Sequence, residues 1–292
     1  MQGLHPLLRR LVAFLRAASG TPLQLDLKAI LRARLPRRVS RLVPGFAISL
    51  LEKLIRQDGL NRLLREAYPA EGSAFSASIL RQLGITVEVK GLEKLEGRGR
   101  LIFASNHPLG GLDGITMVKI LGETYGDDNI RVMVNDMLMN VEPLAGVFLP
   151  INKYGSQARR SAVLINEAFA SDRHICVYPA GLVSRLSANG HIRDLQWQKS
   201  VVAKAIEFDR DIVPVRFEAQ NTDRFYRLAR LRKQLGIKIN LEQALLPGEM
   251  FSQEGEHFRV VFGEPMTSAS LRASGVSPAV LAERLRLRVY SV

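Results

Sequence analysis

Two hydrophobic patterns divide the chain. In the first 72 residues apolar positions recur at helical spacing: Leu4, Leu7, Leu8, Leu11, Val12 and Leu15 line one stripe, with Arg9, Arg10 and Arg16 beside it. Residues 47–55 and 60–67 keep the helical period, and 69–72 (Pro-Ala-Glu-Gly) interrupt it. Residues 75–83 predict one more helix, ended near Gly84. From residue 85 short apolar or alternating runs take over. They predict strands at 85–90, 100–105, 130–134, 147–151, 175–178, 212–217 and 257–262. Helices are predicted at 114–121, 156–171, 200–208, 223–235 and 278–288, with 138–144 a helix or turn. Pro214 places its strand at an edge or near a strand end. Alternating β and α segments predict an α/β fold: a mixed, mainly parallel sheet flanked by helices, with a basic helical N-terminal extension. The expected division is a helical region over 1–72 and an α/β domain over 73–292.

Sheets of this class bind ligands beyond the carboxyl ends of their strands. His107, Asn152, Pro179 and Arg216 all fall at or near such ends. The densest chemistry is the stretch Asn106-His107-Pro108-Leu109-Gly110-Gly111-Leu112-Asp113-Gly114, directly after an apolar strand. A neutral imidazole is the usual base near pH 7, and a carboxylate beside it fixes its tautomer and stabilises the imidazolium. The glycines allow close approach of backbone to a ligand, and the N–H groups around Gly110 and Gly111 are candidate oxyanion donors. The bland alternative is a buried histidine in a structural loop with a capping aspartate. Asn152 and Lys153 follow the strand at 147–151 and present polar groups at the same mouth. After the strand at 175–178, Pro179-Ala180-Gly181 leads to Ser184 and Arg185, and that arginine is a candidate clamp for a carboxylate or phosphate. Residues 212–216 carry no chemical expectation of their own.

Charge adds a constraint on partners. The 292 residues carry 41 Lys and Arg against 28 Asp and Glu, a formal net charge of +13, which favours anionic partners. Thirteen of the cations and only five of the acids lie in residues 1–72. The helix at 4–15 therefore has two readings: an interfacial helix on acidic lipid, or a surface helix with a solvated basic face. Arg37, Arg38 and Arg41 form a second cluster, and Arg224, Arg227, Arg230, Arg232 and Lys233 a third, which fits an acidic carrier, lipid or plain solvent. No apolar run reaches the ~18 residues of a membrane span, so membrane contact is expected to be peripheral and pore formation is not expected. The basic clusters lack interleaved aromatics and any nucleic-acid motif, so nucleic acid is not an expected partner. The single cysteine, Cys176, permits no intrachain disulfide and reads as a buried apolar filler. No histidine has metal-ligand spacing, and no nucleotide loop or Gly-x-Ser-x-Gly elbow occurs, so neither a metal nor a resident cofactor is expected.

The ordered set of motifs resembles the glycerolipid acyltransferase superfamily of 1-acylglycerol-3-phosphate acyltransferases. Asn106, His107 and Asp113 match its first motif, residues 146–153 its second, 178–185 its third and 212–216 its fourth. The resemblance spans about residues 85–220. Two departures stand out. Five residues, not four, separate His107 from Asp113, and Ala180 replaces the glutamate of the third motif. In a continuous helix the extra residue would rotate the aspartate by ~100° off the histidine's face. A loop at Gly110-Gly111 offers a way to absorb it, so the carboxylate is expected within hydrogen-bond distance of His107. The wording of the first and third motifs, with residues 194–199 and 225–230, is most similar to the haemolysin-like branch related to ornithine- and glycine-lipid synthesis.

The resemblance implies an O-acyltransferase that moves a fatty acyl group from acyl-carrier protein or acyl-CoA to a lyso-lipid hydroxyl. The acceptor implied by the branch is an N-(3-hydroxyacyl) amino acid; lysophosphatidate is the alternative. The implied catalytic pair is His107 as base with Asp113 orienting it. The implied substrate-binding set is Asn106, Gly110, Gly111, Asn152, Lys153, Gly181, Ser184 and Arg185. The expected location is the cytoplasmic face of a bacterial inner membrane, bound peripherally to its anionic surface.

Overall fold

Seven strands form one sheet in the order β1-β9-β8-β2-β5-β3-β4. They are β1 (Thr86–Lys90), β2 (Leu101–Ser105), β3 (Ile130–Asn135), β4 (Phe148–Ile151), β5 (His174–Val177), β8 (Asp211–Glu218) and β9 (His257–Phe262). A separate antiparallel hairpin, β6 (Arg185–Leu186) with β7 (Ile192–Arg193), stands beside it. The computed structural model describes residues 23–29, 44–151, 155–187, 189–237 and 241–292. The expected helix at 4–15, the Arg37–Arg38–Arg41 cluster, Asn152 and Lys153 lie outside the described residues.

All neighbouring strands are parallel except β8 and β9, so the mixed, mainly parallel sheet expected from the pattern is present. β2 lies at the centre, and each of its five residues is buried. Its alternation feeds two cores: Leu101 and Phe103 face one, Ile102 and Ala104 the other. The first core is closed by α2 (Gln57–Ala67), α3 (Gly72–Gln82) and α4 (Gly111–Tyr125), through residues such as Leu63, Ile79 and Met117. The second is closed by α5 (Gly155–Ala170), α6 (Ser200–Glu207) and α10 (Pro278–Val289), through Phe169, Val202 and Leu285. A buried arginine stitches this second layer. Arg210 donates from Nε to Phe169 O (2.7 Å) and from Nη1 to Arg173 O (2.6 Å), satisfying carbonyls at and just beyond the end of α5.

The remaining helices are α1 (Gly45–Leu54), α7 (Asp223–Gln234), α8 (Leu246–Phe251) and α9 (Ser268–Ala273). The helical period did not single out α8 and α9, each only six residues long. The stretch expected as helix or turn forms two 3₁₀ turns, Asp136–Asn140 and Glu142–Leu144.

Pro214 corrects its expectation. β8 is not an edge strand; it lies between β9 and β2. The ladder to β9 pairs Val215 with Phe262, but the next bridge pairs Ile212 with Met266. One extra residue therefore lies on the β9 side, and Pro214 sits opposite that bulge, where a strand tolerates the loss of an N–H.

Candidate active site

The carboxyl ends of β2, β5 and β8 come together, and the chain after β2 supplies the centre. Asn106 acts there as one more rung of the sheet. Its Oδ1 accepts the Phe217 N–H (2.7 Å) and its Nδ2 donates to Phe217 O (2.9 Å). Its carboxamide is committed to β8 and 3% exposed, so the expectation that Asn106 binds substrate is corrected: it pins the backbone from which His107 projects.

The next turn solves the spacing problem. Gly110 adopts φ 85° and ψ −111°, a conformation that side-chain-bearing residues avoid. A Cβ there would also lie 3.1 Å from Leu246 Cδ1 and 3.3 Å from Val183 Cγ2. The kink lets α4 begin at Gly111, earlier than the sequence pattern indicates, and makes Asp113 the third residue of its first turn. The Asp113 carboxylate reaches back over that turn. It accepts the N–H groups of Leu109 (3.0 Å) and Gly110 (3.1 Å), as an acidic residue at this position does. Its Oδ2 also lies 2.8 Å from His107 Nδ1, the contact expected of the pair. Asp113 is fully buried; burial pushes its carboxyl upward, while His107 and the two N–H groups pull the other way. The Gly110 N–H therefore points at Asp113, which corrects its assignment as an oxyanion donor. Gly111 has open space at its Cβ position.

His107 is held from two more sides. Its ring stacks on Tyr178, centroids 4.3 Å apart and planes inclined by 30°. Its backbone N–H donates to Asp194 Oδ1 (3.1 Å), and its carbonyl accepts the Ser184 N–H (2.8 Å). Asp194 gathers this side of the site. It accepts Ser184 Oγ–H (2.6 Å) and Trp197 Nε1–H (2.9 Å), and its own N–H donates to the Tyr290 hydroxyl (2.7 Å). Burial pushes the Asp194 carboxyl upward, opposed chiefly by Ser184 and Trp197. Asn221 Nδ2 closes the loop by donating to Pro108 O (3.0 Å). Of these groups Asp194, Trp197, Tyr290 and Asn221 are absent from the expected site. Asp194, Asn221 and Tyr290 lie roughly 80 to 180 residues beyond His107 in the chain, and only the similarity of residues 194–199 to one branch of the family hinted at the first.

Two more expectations change. Ser184 is 2% exposed and bonded to Asp194 and His107, so it supports the histidine and does not face substrate. Arg185 is not a free clamp. Its Nη2 pairs with Glu242 Oε1 at 2.9 Å, and its Nη1 donates to Val183 O at 2.9 Å. Glu242 is fully buried and also meets Arg232 Nε at 2.8 Å. Gly181 is exposed, with φ 65° and open space where a Cβ would stand. Cys176 is buried and its thiol is pushed up to about 12, chiefly by burial, so it stays protonated and is no nucleophile.

With Nδ1–H donating to the Asp113 carboxylate, His107 keeps Nε2 as its basic nitrogen. The ring is partly exposed at 19%, while its carboxylate partner is sealed. Such an arrangement is chemically able to accept a proton from a bound hydroxyl and to stabilise the resulting imidazolium.

Comparison with known proteins identifies the family. The protein family described as "Acyltransferase" matches residues 30–291. A protein of Phocaeicola vulgatus named lyso-glycine lipid O-acyltransferase is 42% identical over 242 residues, 83% of this chain and 86% of that protein. One of the same name from Bacteroides thetaiotaomicron is 40% identical over 268 residues, 92% of this chain and 97% of that protein. A crystal structure of the 1-acyl-sn-glycerophosphate acyltransferase of Thermotoga maritima aligns with a TM-score of 0.43 and 13% identity, covering 88% of this chain and 97% of that one. The family match and the two relatives establish that this chain belongs to the acyltransferase family and is an enzyme, an acyltransferase.

Proposed function

We propose that this enzyme is an O-acyltransferase of amino-acid lipid synthesis, acting on the hydroxyl of an N-(3-hydroxyacyl) amino acid with a fatty acyl thioester as donor. His107 Nε2 takes the proton of the secondary hydroxyl as its oxygen attacks the thioester carbonyl. The tetrahedral oxyanion then collapses, the C–S bond breaks, and the thiolate recovers the proton from the imidazolium. The products are a diacylated amino-acid lipid and free thiol. Asp113 holds the Nδ1 proton throughout. The observation that carries the mechanism is the 2.8 Å contact between His107 Nδ1 and Asp113 Oδ2, with Nε2 left over for substrate. Glycine as head group rests on the names of the two relatives. The thiol of the donor belongs to acyl-carrier protein or coenzyme A.

Among the described residues no helix is long and apolar enough to cross a membrane. The lipid product and the exposed Phe46, Leu50 and Leu51 of α1 support peripheral attachment to a membrane face.

The experiment is an acyl-transfer assay by mass spectrometry, offering the purified protein N-(3-hydroxyacyl)glycine and lysophosphatidate side by side with each donor. We expect turnover of the glycine lipid, and a fall of at least ~10²-fold in His107→Ala with folding intact. Preferred turnover of lysophosphatidate would overturn the acceptor. Undiminished activity of the variant would overturn the mechanism.

A further inference from the structure

Arg185 and Arg216 both border the site, and of these two only Arg185 is engaged by a carboxylate among the described residues. Arg185 is paired with Glu242. Arg216 has no acidic partner among the described residues; its Nε and Nη1 are buried and meet no hydrogen-bond acceptor there. Its Cζ lies 4.6 Å from the centroid of the Tyr290 ring, and Arg193 Cζ lies 5.0 Å from the same centroid. Two guanidinium groups thus share one ring, and the hydroxyl of that ring meets the N–H of Asp194, whose carboxylate holds the His107 N–H. The Asp194 carboxylate bonds to neither guanidinium; its oxygens receive Ser184, Trp197 and His107. Buried guanidinium nitrogens without an acceptor are unfavourable, and an anionic oxygen group relieves them.

Position narrows the anion. β8 pairs Ser105 with Val215, so Arg216 is level with Asn106, the residue before His107. Ile212, Pro214 and Arg216 alternate with Val213, Val215 and Phe217, which fill the first core, so Arg216 stands on the other face of the sheet's carboxyl edge, with Tyr290. In N-(3-hydroxyacyl)glycine the hydroxyl and the carboxylate are about two residue lengths apart, roughly 7 Å when extended. Adjacent strands are separated by ~4.8 Å, so an acceptor that crosses the sheet's carboxyl edge from His107 meets Arg216 one strand over, on the face opposite α4. A donor phosphate does not, because the whole pantetheine arm separates it from the thioester carbonyl.

We propose that Arg216, assisted by Arg193 at the same Tyr290 ring, binds the carboxylate of the acceptor and so selects an amino-acid lipid. The inference rests on the function proposed above and assigns its head-group subsite.

The test compares N-(3-hydroxyacyl)glycine with its methyl ester at one donor concentration, in wild type, Arg216→Gln, Arg216→Lys and Arg193→Gln. Wild type should prefer the free acid by roughly 10- to 100-fold in kcat/KM, as expected for a hydrogen bond to a charged group. Arg216→Gln should lose that preference, with a fall in kcat/KM on the acid that exceeds any fall on the ester by that same factor and with the donor KM unchanged. Arg216→Lys should keep part of it, and Arg193→Gln most of it. Thermal melts report correct folding in every variant. An unchanged acid-to-ester ratio in Arg216→Gln, an equal loss on both substrates, or a raised donor KM with the ratio intact would overturn the assignment. Absence of wild-type turnover on both glycine substrates would instead sink the acceptor reading, and this inference with it.

Discussion

His107 and Asp113 meet Nδ1 to Oδ2 at 2.8 Å although six positions separate them, and Gly110 and the first turn of α4 make this possible. Asp113→Asn tests the pair. The amide cannot replace the carboxylate, because each oxygen accepts from backbone: Oδ1 from Leu109, Oδ2 from Leu109 and Gly110. Either orientation turns an NH2 toward an N–H, and one orientation also drives His107 into the tautomer with its proton on Nε2. The expected result is a fall in kcat of about 10²–10⁴-fold with acceptor KM little changed. Steady-state kinetics beside a circular-dichroism spectrum decide it; near-normal kcat would remove Asp113 from the mechanism.

The two adjacent glycines should behave differently. Gly110→Ala meets both a forbidden backbone conformation and the Leu246 and Val183 side chains. It should destabilise the fold by about 1–3 kcal/mol and reduce activity by displacing Asp113. Gly111 shows no left-handed φ, has open space around its Cβ position, and opens a helix. Gly111→Ala should stabilise by about 0.4–1 kcal/mol while keeping its N–H and its activity. Thermal melts and kcat of the two variants separate the cases. A melting temperature lowered equally in both would mean that the loop tolerates neither side chain.

Asn106 should act through backbone alone. Asn106→Ala orphans the N–H and carbonyl of Phe217, at about 1–3 kcal/mol for each group that stays buried and unpaired. Asn106→Asp should be no better, because a carboxylate oxygen then faces the Phe217 carbonyl. Both should lower kcat together with stability. A variant of normal stability with a raised acceptor KM would return Asn106 to the substrate-binding set.

These cases show what the chain reveals on its own face. The strands were legible because alternation feeds two cores, and the His107–Asp113 contact because the glycines beside it advertise a kink. The roles of Asn106, Ser184 and Arg185 were not legible, because each is set by a partner far along the chain: Phe217, Asp194 and Glu242. A polar residue at a strand end reads as a pocket residue until the acceptor that occupies it is located. Pro214 was misread for the same reason, since the bulge that accommodates it belongs to the chain beyond β9. Arg216 is the converse case: its sequence context carries no chemical expectation, and its buried Nε and Nη1 meet no hydrogen-bond acceptor among the described residues.

The Arg185–Glu242–Arg232 group should matter for stability and not for substrate. Glu242 is fully buried, and Arg185 and Arg232 are each 14% exposed. Arg185→Met leaves Glu242 with Arg232 alone and should destabilise by about 3 kcal/mol, the lower end for breaking a buried pair. Acceptor KM should stay within about twofold of wild type. The double variant Arg185→Met/Glu242→Leu should not simply add the losses, because it removes both buried charges of the pair. Urea unfolding and KM together discriminate: a large rise in KM at normal stability would restore Arg185 as a substrate clamp.

Asp194 gives a prediction with a definite pH sign. Its neighbours are three donors: His107 N–H, Ser184 Oγ–H and Trp197 Nε1–H. Asp194→Asn must set an NH2 against the tryptophan or the backbone, so it should destabilise the fold by about 1–3 kcal/mol. Burial raises the folded carboxyl above its unfolded value near ~3.9. Between those two values the folded protein retains a proton that the unfolded chain has released. Wild-type stability therefore declines as pH rises through that window, as far as this group is concerned. The asparagine variant has no such slope. The stability gap between the two should be widest on the acid side of the window and narrow as pH climbs through it. Urea titrations at successive pH values measure that gap by linear extrapolation. A gap that widens with pH would mean that the three donors outweigh burial and hold the Asp194 carboxyl below its ordinary range.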